Sequence, residues 1–247
     1  MNVVIQLFLF DLNACKSSVE RENKEHRILE YSTVLRKNTA DPYIKQIYVL
    51  CESQSAADYF QRVVEFDKKV SFLVIGHQPT YKELFEFIKA TIPPGEIVCL
   101  MNADIFFNSE KDHQRIQKHL QPHHLFSLTR HEITNDGHTE CSFDTCPFTR
   151  GGSSDTFIFY TPIRPTFNTS KLDYRQNLFG AEAVLHKVWF DAGYEIWNPC
   201  GDIITLHLHR GRIHFQQYSY IVEEYTNENS YCNTRTSLPP IPSDRDT

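Results

Sequence analysis

The chain has 247 residues, and its 25 Lys and Arg against 31 Asp and Glu give a formal net charge of −6. This acidic balance does not favour a general nucleic-acid-binding protein, since such proteins carry a basic face. Hydrophobic residues make up 40% and charged residues 23%, which excludes a disordered chain. No apolar run reaches the roughly 20 residues that span a bilayer. We expect one domain over residues 1–236 and a flexible, Pro-rich tail over residues 237–247.

The seven cysteines are an odd number in a chain too long to need disulfide bonds. The first ten residues lack a basic segment and a small-residue cleavage site, so they predict a strand and not a signal peptide. We therefore expect reduced thiols in a cytoplasmic protein. Cys141 and Cys146 form a C-x4-C pair, but no second pair follows at zinc-finger spacing.

The first half of the chain alternates apolar runs with helix-like segments. Thr80 is predicted to cap the third helix, with Glu83 in the capping-box position. Strands that alternate with helices predict a parallel sheet in an α/β fold. The predicted strands lie at residues 3–10, 47–51, 70–75 and 96–101, and the predicted helices at 20–37, from Ser55 onwards, and at 81–90.

The second half is less regular. It contains predicted helices at residues 110–120 and 180–192 and predicted strands at 125–130, 155–160 and 203–208. Residues 131–152 are rich in Thr, Asp, Gly and Cys and predict a long loop. Together these elements predict a mixed, mainly parallel sheet flanked by helices on both faces.

Asp104 is the first candidate for chemistry. Ligands of open parallel sheets bind at the carboxyl ends of the strands, and Asn102, Ala103 and Asp104 follow the fourth predicted strand. A carboxylate at the end of a buried strand is costly unless it is paired, and a Mg²⁺ or Mn²⁺ ion that carries a diphosphate would pair with it. The alternative is that Asp104 caps a following helix.

His207 and His209 form the second candidate. Residues i and i+2 of a strand point the same way, so both imidazoles are expected on one face. They are suited to contact a metal or a phosphate, and with a distant carboxylate they make a mixed set that suits Mn²⁺. The alternative is a pair of hydrogen-bonded histidines on a solvated face.

Two further carboxylates precede or begin regular elements. Glu182 follows Gly180 at a predicted helix start, where it either complements the helix dipole or acts as a general base or clamp for an acceptor hydroxyl. Asp155 follows a glycine pair at a strand start and is either a second functional carboxylate or a turn residue.

Four histidines surround the end of the helix predicted at 110–120. They are expected to be mostly solvated, where a cationic ring suits the helix dipole. A zinc site among them is the alternative. These residues are His113, His119, His123 and His124.

In this order, the motifs resemble small GT-A-type glycosyltransferases of large DNA viruses of algae and amoebae, typified by a chlorella-virus enzyme, and similar stand-alone bacterial proteins. The motifs are IYVLCE (47–52), NADIFF (102–107), SSDTFIF (153–159) and AGYEIxNP…HLH (192–209). The resemblance covers roughly residues 3–210. It implies a single GT-A-like (Rossmann-like) catalytic domain that binds a nucleotide-sugar.

The resemblance also implies roles for single residues. Asp104 falls on the metal-binding carboxylate, and His207 or His209 matches a histidine that completes the metal site. Asn102 stands where the family has a first Asp, a departure that weakens metal binding. Glu182 falls where a catalytic or acceptor-binding Asp is usual.

The implied activity is hexosyl or deoxyhexosyl transfer from a nucleotide-sugar, with UDP expected, to a glycan or protein-linked glycan. Mn²⁺ or Mg²⁺ is the expected cofactor, and no nucleic acid or membrane span is expected. Glu182 and Asp155 are the catalytic candidates; Glu182 deprotonates the acceptor if the reaction inverts, and no such base is required if it retains. If the source is viral, the expected location is the host cytoplasm.

Donor-binding candidates follow from the same implied site. Tyr81 is expected to stack on a uracil, and Arg130 or Lys82 to add positive charge near the diphosphate. A GT-A-like module that binds nucleotide or glycan without catalysis is the alternative function, and a cytosolic zinc protein is a third. The donor-binding candidates are Phe10, Glu52, Gln78, Thr80, Tyr81, Asn102, Ala103, Asp104 and Arg130.

Overall fold

The computed structural model describes residues 1–133, 154–176, 178 and 180–209. The cysteine pair 141 and 146, most of the long loop predicted at 131–152, and the Pro-rich tail lie outside the described residues.

Strands and helices alternate through the first half of the chain, as predicted, with shifts of a few residues at their ends. The elements are β1 (Asn2–Leu7), α1 (Ser18–Ala40), β2 (Gln46–Cys51), α2 (Gln54–Val63), β3 (Val70–Val74), α3 (Tyr81–Thr91), β4 (Ile97–Met101), β5 (Ile105–Phe107), α4 (Glu110–His119), β6 (His124–Leu128), β7 (His131–Glu132), β8 (Thr156–Tyr160), a short 3-10 helix (Thr169–Leu172), α5 (Ala181–Asp191), β9 (Glu195–Trp197) and β10 (Thr205–His207).

Polar caps define where the helices begin. The predicted capping box of α3 is confirmed, because Thr80 Oγ1 accepts from the Glu83 amide while the Glu83 carboxylate accepts from the Thr80 amide. The prediction that Ser55 caps α2 is wrong. Ser53 has the extended backbone of a cap, and its hydroxyl accepts from the Ala56 amide at 3.3 Å, so the helix starts earlier.

The main sheet has seven strands in the order β3-β2-β1-β4-β8-β6-β9. Strand β8 is antiparallel to both β4 and β6, and the other four neighbouring pairs are parallel. The prediction of a mixed, mainly parallel sheet is therefore confirmed.

Helices cover both faces of this sheet, because its strands are apolar on both sides. Val3, Ile5 and Leu7 of β1 pack with residues from α1, α2 and α4 on one face. Val4 of β1 packs with residues from α3 and α5 on the other face, around the fully buried Trp189. The two cores hold the carboxyl ends of β1, β2 and β4 at one edge.

A second, three-stranded sheet has the order β5-β10-β7. Strand β10 is antiparallel to β5 and parallel to β7. The assignment of residues 131–152 to a loop is wrong for His131 and Glu132, which form β7. Tertiary pairing with β10 creates this two-residue strand, and two residues are too few to give a periodicity in the sequence.

Among the helices in the described part of the chain, none combines the length and the apolar character needed to cross a bilayer.

Candidate functional site

The small sheet brings Asp104 to the two histidines. Asp104 lies between β4 and β5, and the antiparallel pairing of β5 with β10 sets Ile105 opposite His207. The Leu208 amide also donates to the Asp104 carbonyl at 2.9 Å. As a result, one ligand atom each from Asp104, His207 and His209 lies within 4.8 Å of the other two.

Carboxylates flank the His207 ring on both sides. Its Nε2 lies 3.0 Å from Asp104 Oδ2, and its Nδ1 lies 2.8 Å and 3.0 Å from the two Glu132 oxygens. Burial opposes the charged ring, but the hydrogen bonds to Asp104 and Glu132 outweigh it and raise the pKa of His207 to about 9. A carboxylate on one ring nitrogen is also the arrangement that orients the other nitrogen toward a metal.

His209 differs from His207 in its electrostatics. Its ring stacks on that of His207 with centroids 5.2 Å apart. Burial lowers the pKa of His209, and the positive charges of Arg27 and His207 lower it further. The lowered pKa favours the neutral ring of His209, which is the form that ligates metals.

Asp104 is a buried anion and not a helix cap, since β5 follows it and Ser109 caps α4. Its Oδ2 accepts from Arg27 and His207. Burial opposes the charged form, but His207 and Arg27 outweigh it and hold the pKa of Asp104 well below its usual range. Its Oδ1 is buried and has no hydrogen-bond partner in the part of the chain that the structure describes.

That oxygen tests whether these residues fit a metal ion. A buried anionic oxygen without a partner is costly, and the carboxylate that carries it belongs to a cluster with two imidazoles. One carboxylate and two imidazoles form a mixed oxygen and nitrogen set, which suits Mn²⁺ and related divalent ions. The described residues therefore fit a divalent cation at this place, provided that the ion displaces the Nε2 proton of His207.

Arg27 belongs to this site but was not selected from the sequence. It lies on α1, is 8% exposed, and also donates to Glu30 at 2.8 Å. Its guanidinium lies 4.6 Å from the centre of the Tyr31 ring. The sequence does contain a signal that could have pointed to Arg27. Arg27, Tyr31 and Val34 have the spacing of one buried helix face, and a charged residue on that face needs a buried partner.

Asp155 is the centre of a neighbouring group. Its carboxylate accepts from Asn102 Nδ2 at 2.7 Å and from one Arg130 nitrogen at 3.1 Å to each oxygen. Asn102 therefore faces Asp155, where a second carboxylate would meet repulsion. Burial opposes the charge on Arg130, but Asp155 and Glu132 outweigh it and raise the pKa of the guanidinium.

Glu132 joins the two groups. It accepts from Arg130 Nε at 2.6 Å while it contacts His207. No sequence feature pointed to Glu132, because only the β7–β10 pairing sets it opposite His207. One continuous set of hydrogen bonds and ion pairs thus runs through Asn102, Asp155, Arg130, Glu132, His207, Asp104 and Arg27.

Glu182 lies in the first turn of α5, beyond Asp155 and Arg130. The residue before the helix, Gly180, has φ +84°, which favours glycine. Burial raises the pKa of Glu182 to about 7, and the charge of Asp155 adds to this, whereas the backbone amide of Glu182 and the charge of Arg130 oppose it. A carboxylate with this pKa accepts and returns protons near neutral pH.

The predicted donor-binding residues are only partly grouped. Glu52 accepts a hydrogen bond from the Leu9 amide, so the ends of β1 and β2 meet. Burial raises the pKa of the Glu52 carboxyl, although that hydrogen bond and the charge of Arg175 oppose the rise. Phe10 is half-buried and packs edge-on against Phe8 at 4.8 Å. Ala103 is buried and Gln78 half-buried.

Tyr81 does not fit its expected role. It is 2% exposed and packs between Phe85, Phe157 and Tyr174, so neither ring face is open to a uracil. Thr80 is engaged in the capping box of α3 through both its amide and its hydroxyl. Both residues were selected because they follow a predicted strand, and that position does not show that the first turn of α3 packs against the sheet.

Comparisons with known proteins give distant likenesses in structure only. No protein-family model matches the chain, and no curated protein matches it. It is similar to a protein from Desulfovibrio desulfuricans described as a nucleotide-diphospho-sugar transferase, with 10% identity, a TM-score of 0.48, and coverage of 79% of this chain and 77% of that one.

Two other solved structures are similar to the chain. One is GalNAc-T7 with UDP, GalNAc and Mn²⁺, with 10% identity and a TM-score of 0.43 over 83% of this chain and 41% of that one. The other is TarS of S. aureus, with 14% identity and a TM-score of 0.43 over 77% of this chain and 55% of that one. Likeness at this level does not assign a function, so the resemblance to viral enzymes stays a prediction.

Proposed function

We propose that the chain is a metal-dependent glycosyltransferase that transfers a sugar from a UDP-linked donor to a hydroxyl group of a glycan or protein-linked glycan. The observation that carries the proposal is the continuous set of polar contacts between the Asp104 cluster and Asp155, whose charge acts on the carboxyl of Glu182. It joins a cation-binding chemistry to a proton acceptor at one edge of the sheet.

The cation would be held by Asp104 Oδ1 with His207 and His209. When bound, Mn²⁺ or Mg²⁺ neutralises the negative charge that builds on the departing nucleoside diphosphate. Glu132 keeps the His207 ring oriented through Nδ1, and Arg27 keeps Asp104 fixed through Oδ2. Two carboxylates bind Arg130, so its first role is to orient Asp155 and Glu132.

Glu182 is the proposed general base in an inverting reaction. With a pKa of about 7, its ionised form removes the proton of the acceptor hydroxyl as the hydroxyl oxygen attacks the anomeric carbon. Asp155 raises that pKa, and Asn102 and Arg130 hold Asp155 in place. In a retaining reaction Glu182 instead accepts a hydrogen bond from the acceptor and positions it.

A donor-hydrolysis assay tests the proposal. The metal-free chain is incubated with a panel of nucleotide-sugars, with and without Mn²⁺, and released nucleoside diphosphate is measured. We expect Mn²⁺-stimulated release from at least one donor, strengthened by a glycan acceptor. Glu86→Gln, an exposed change on α3, is the control and should be fully active. Absence of release from every donor would contradict the proposal.

One observation favours the alternative of a binding module without catalysis. Arg27 already supplies a positive charge at Asp104, where a cation would otherwise be needed. In that case nucleoside diphosphates raise the melting temperature of the chain without Mn²⁺, and no donor is hydrolysed. The same donor panel, read by thermal shift and by product release, therefore separates the two functions.

A further inference from the structure

Three side chains of the types that ligate metals meet at the edge of the main sheet opposite the candidate site. One ligand atom each from His123, His124 and Glu195 lies within 4.8 Å of the other two. The Nε2 atoms of the two histidines approach different oxygens of the one carboxylate, at 3.9 Å and 3.8 Å. None of these residues takes part in the proposed glycosyl transfer.

Strand pairing creates this cluster. Strands β6 and β9 are parallel, and their register sets His124 opposite Glu195 at the first residue of each strand. The Glu195 amide also donates to the His123 carbonyl at 2.9 Å. Since β6 spans about 13 Å and Arg130 follows its far end, the cluster is separated from the candidate site by the length of the sheet.

Packing fixes one ring and leaves the other two side chains adjustable. His124 stacks on Trp197, with centroids 4.3 Å apart and planes at 30°. His123 meets His124 edge-on at 4.3 Å. The side chains of His123 and Glu195 are 46% and 52% exposed, so they can rotate toward a shared ion without disturbing the core.

We propose that His123, His124 and Glu195 form a zinc site. Zn²⁺ accepts imidazole nitrogen and carboxylate oxygen at about 2.0–2.2 Å in a tetrahedral arrangement, in which ligand atoms are roughly 3.4 Å apart. Rotation of the side chains would have to shorten the distances between the ligand atoms, now within 4.8 Å of one another, by roughly 1 Å to reach that spacing. Three protein ligands leave a fourth position for water. Zn²⁺ binds imidazole nitrogen well, and because the Asp104 cluster offers a similar set of ligands, the single-residue variants and not the total zinc bound identify this site.

A bound ion would join the turn before β6 to the start of β9. Both strands lead to the candidate site at their other ends, because Asn198, after β9, bonds to Thr129, after β6. The site therefore braces the pair of strands that supports Arg130. The zinc site and the proposed glycosyl transfer can be tested independently, since zinc binding is measured without any substrate.

The test is a zinc titration of the metal-free full-length chain against a chromophoric chelator. The variants are His123→Ala and Glu195→Gln, both at exposed side chains, and the control is His26→Ala, an exposed histidine on α1. Loss of an outer-shell partner alone lowers metal affinity about 10–100-fold, so loss of a ligand is expected to lower zinc affinity at least tenfold. The control should bind as wild type does.

Co²⁺ gives a second readout, because its visible absorption reports tetrahedral coordination. We expect these bands in wild type and in His26→Ala, and weaker bands in His123→Ala, because the Asp104 cluster offers a second set of one carboxylate and two imidazoles. Equal zinc affinity and equal stoichiometry in wild type, His123→Ala and Glu195→Gln would overturn the proposal, since all zinc would then lie at Asp104 or elsewhere. Absence of zinc binding to wild type would overturn it as well.

Discussion

The guanidinium of Arg27 donates a hydrogen bond to Oδ2 of Asp104, joining residues 77 positions apart in the chain. The two side chains are 9% and 7% exposed, so both charges are largely desolvated. The pair ties α1 to the edge of the sheet and leaves Oδ1 as the Asp104 oxygen that has no hydrogen bond to the described residues. It thereby couples the stability of the fold to the candidate metal site.

Asp104→Ala is expected to lower the free energy of unfolding by about 1.5–3 kcal/mol, because it removes one of the two carboxylates that pair with the buried Arg27 and leaves only Glu30. Urea unfolding measures this. Glu25→Ala breaks the exposed pair with Arg21 on the same helix and is the control, with a stability expected close to that of wild type. An Asp104→Ala variant as stable as the control would contradict the buried pair.

Glu182→Gln is expected to lower the rate constant of sugar transfer about 10²–10⁴-fold, while the donor still binds. Because the pKa of Glu182 is about 7, wild-type activity should rise as pH increases through that value, and the variant should lose this rise. Product release is measured against pH, with Glu86→Gln as the control. A wild-type profile retained in Glu182→Gln would exclude Glu182 as the base.

The Glu182 carboxyl should also affect how the free energy of unfolding depends on pH. Its pKa is raised from the usual 4.5 to about 7 in the folded chain, so folding binds a proton between these values. Its contribution to stability is fully present below about pH 4.5 and is lost as pH rises through about 7. Between about pH 5 and pH 8, the free energy of unfolding of Glu182→Gln should therefore rise relative to that of wild type by on the order of 1–3 kcal/mol.

Thermal unfolding of both proteins at several pH values checks this prediction. The difference between variant and wild type cancels the other titrating groups. A difference that is independent of pH would mean that the pKa of Glu182 is not raised in the folded chain.

Glu132→Ala is expected to weaken Mn²⁺ binding about 10–100-fold, because the His207 ring loses the carboxylate that orients it. Glu132→Gln keeps an oxygen that accepts from Nδ1, so it should lose less. Calorimetric titration with Mn²⁺ measures both. The Glu132 side chain is 53% exposed, so the variants should fold. Wild-type affinity in Glu132→Ala would exclude the orienting role.

Local signals in the sequence predicted local structure well. The Thr80 and Glu83 capping box and the apolar runs of β1, β2 and β4 depend on neighbours within a few residues, and they gave the correct order of elements from β1 to β4. Asp104 and the two histidines were predicted to act together, and the structure does bring them together.

The missed residues depend on long-range pairing. Arg27 reaches Asp104 only because α1 packs on the sheet, and Glu132 reaches His207 only because β7 pairs with β10. Tyr81 shows the opposite error: it follows the loop after a strand, as a ligand-binding residue would, yet packing turns it into the core. A sequence alone does not show which side of a loop or helix a tertiary contact will cover.

The most direct test of the cation site is a Mn²⁺ titration of the metal-free chain in the presence of UDP, followed by the electron paramagnetic resonance signal of the free ion. His209→Ala removes a half-buried ligand without touching the Arg27 pair, and His123→Ala is the control at the opposite sheet edge. We expect one Mn²⁺ bound per chain in wild type and in His123→Ala, and its release in His209→Ala. Mn²⁺ that stays free with wild type, or binds equally to His209→Ala, would contradict the cation site and the glycosyltransferase built on it.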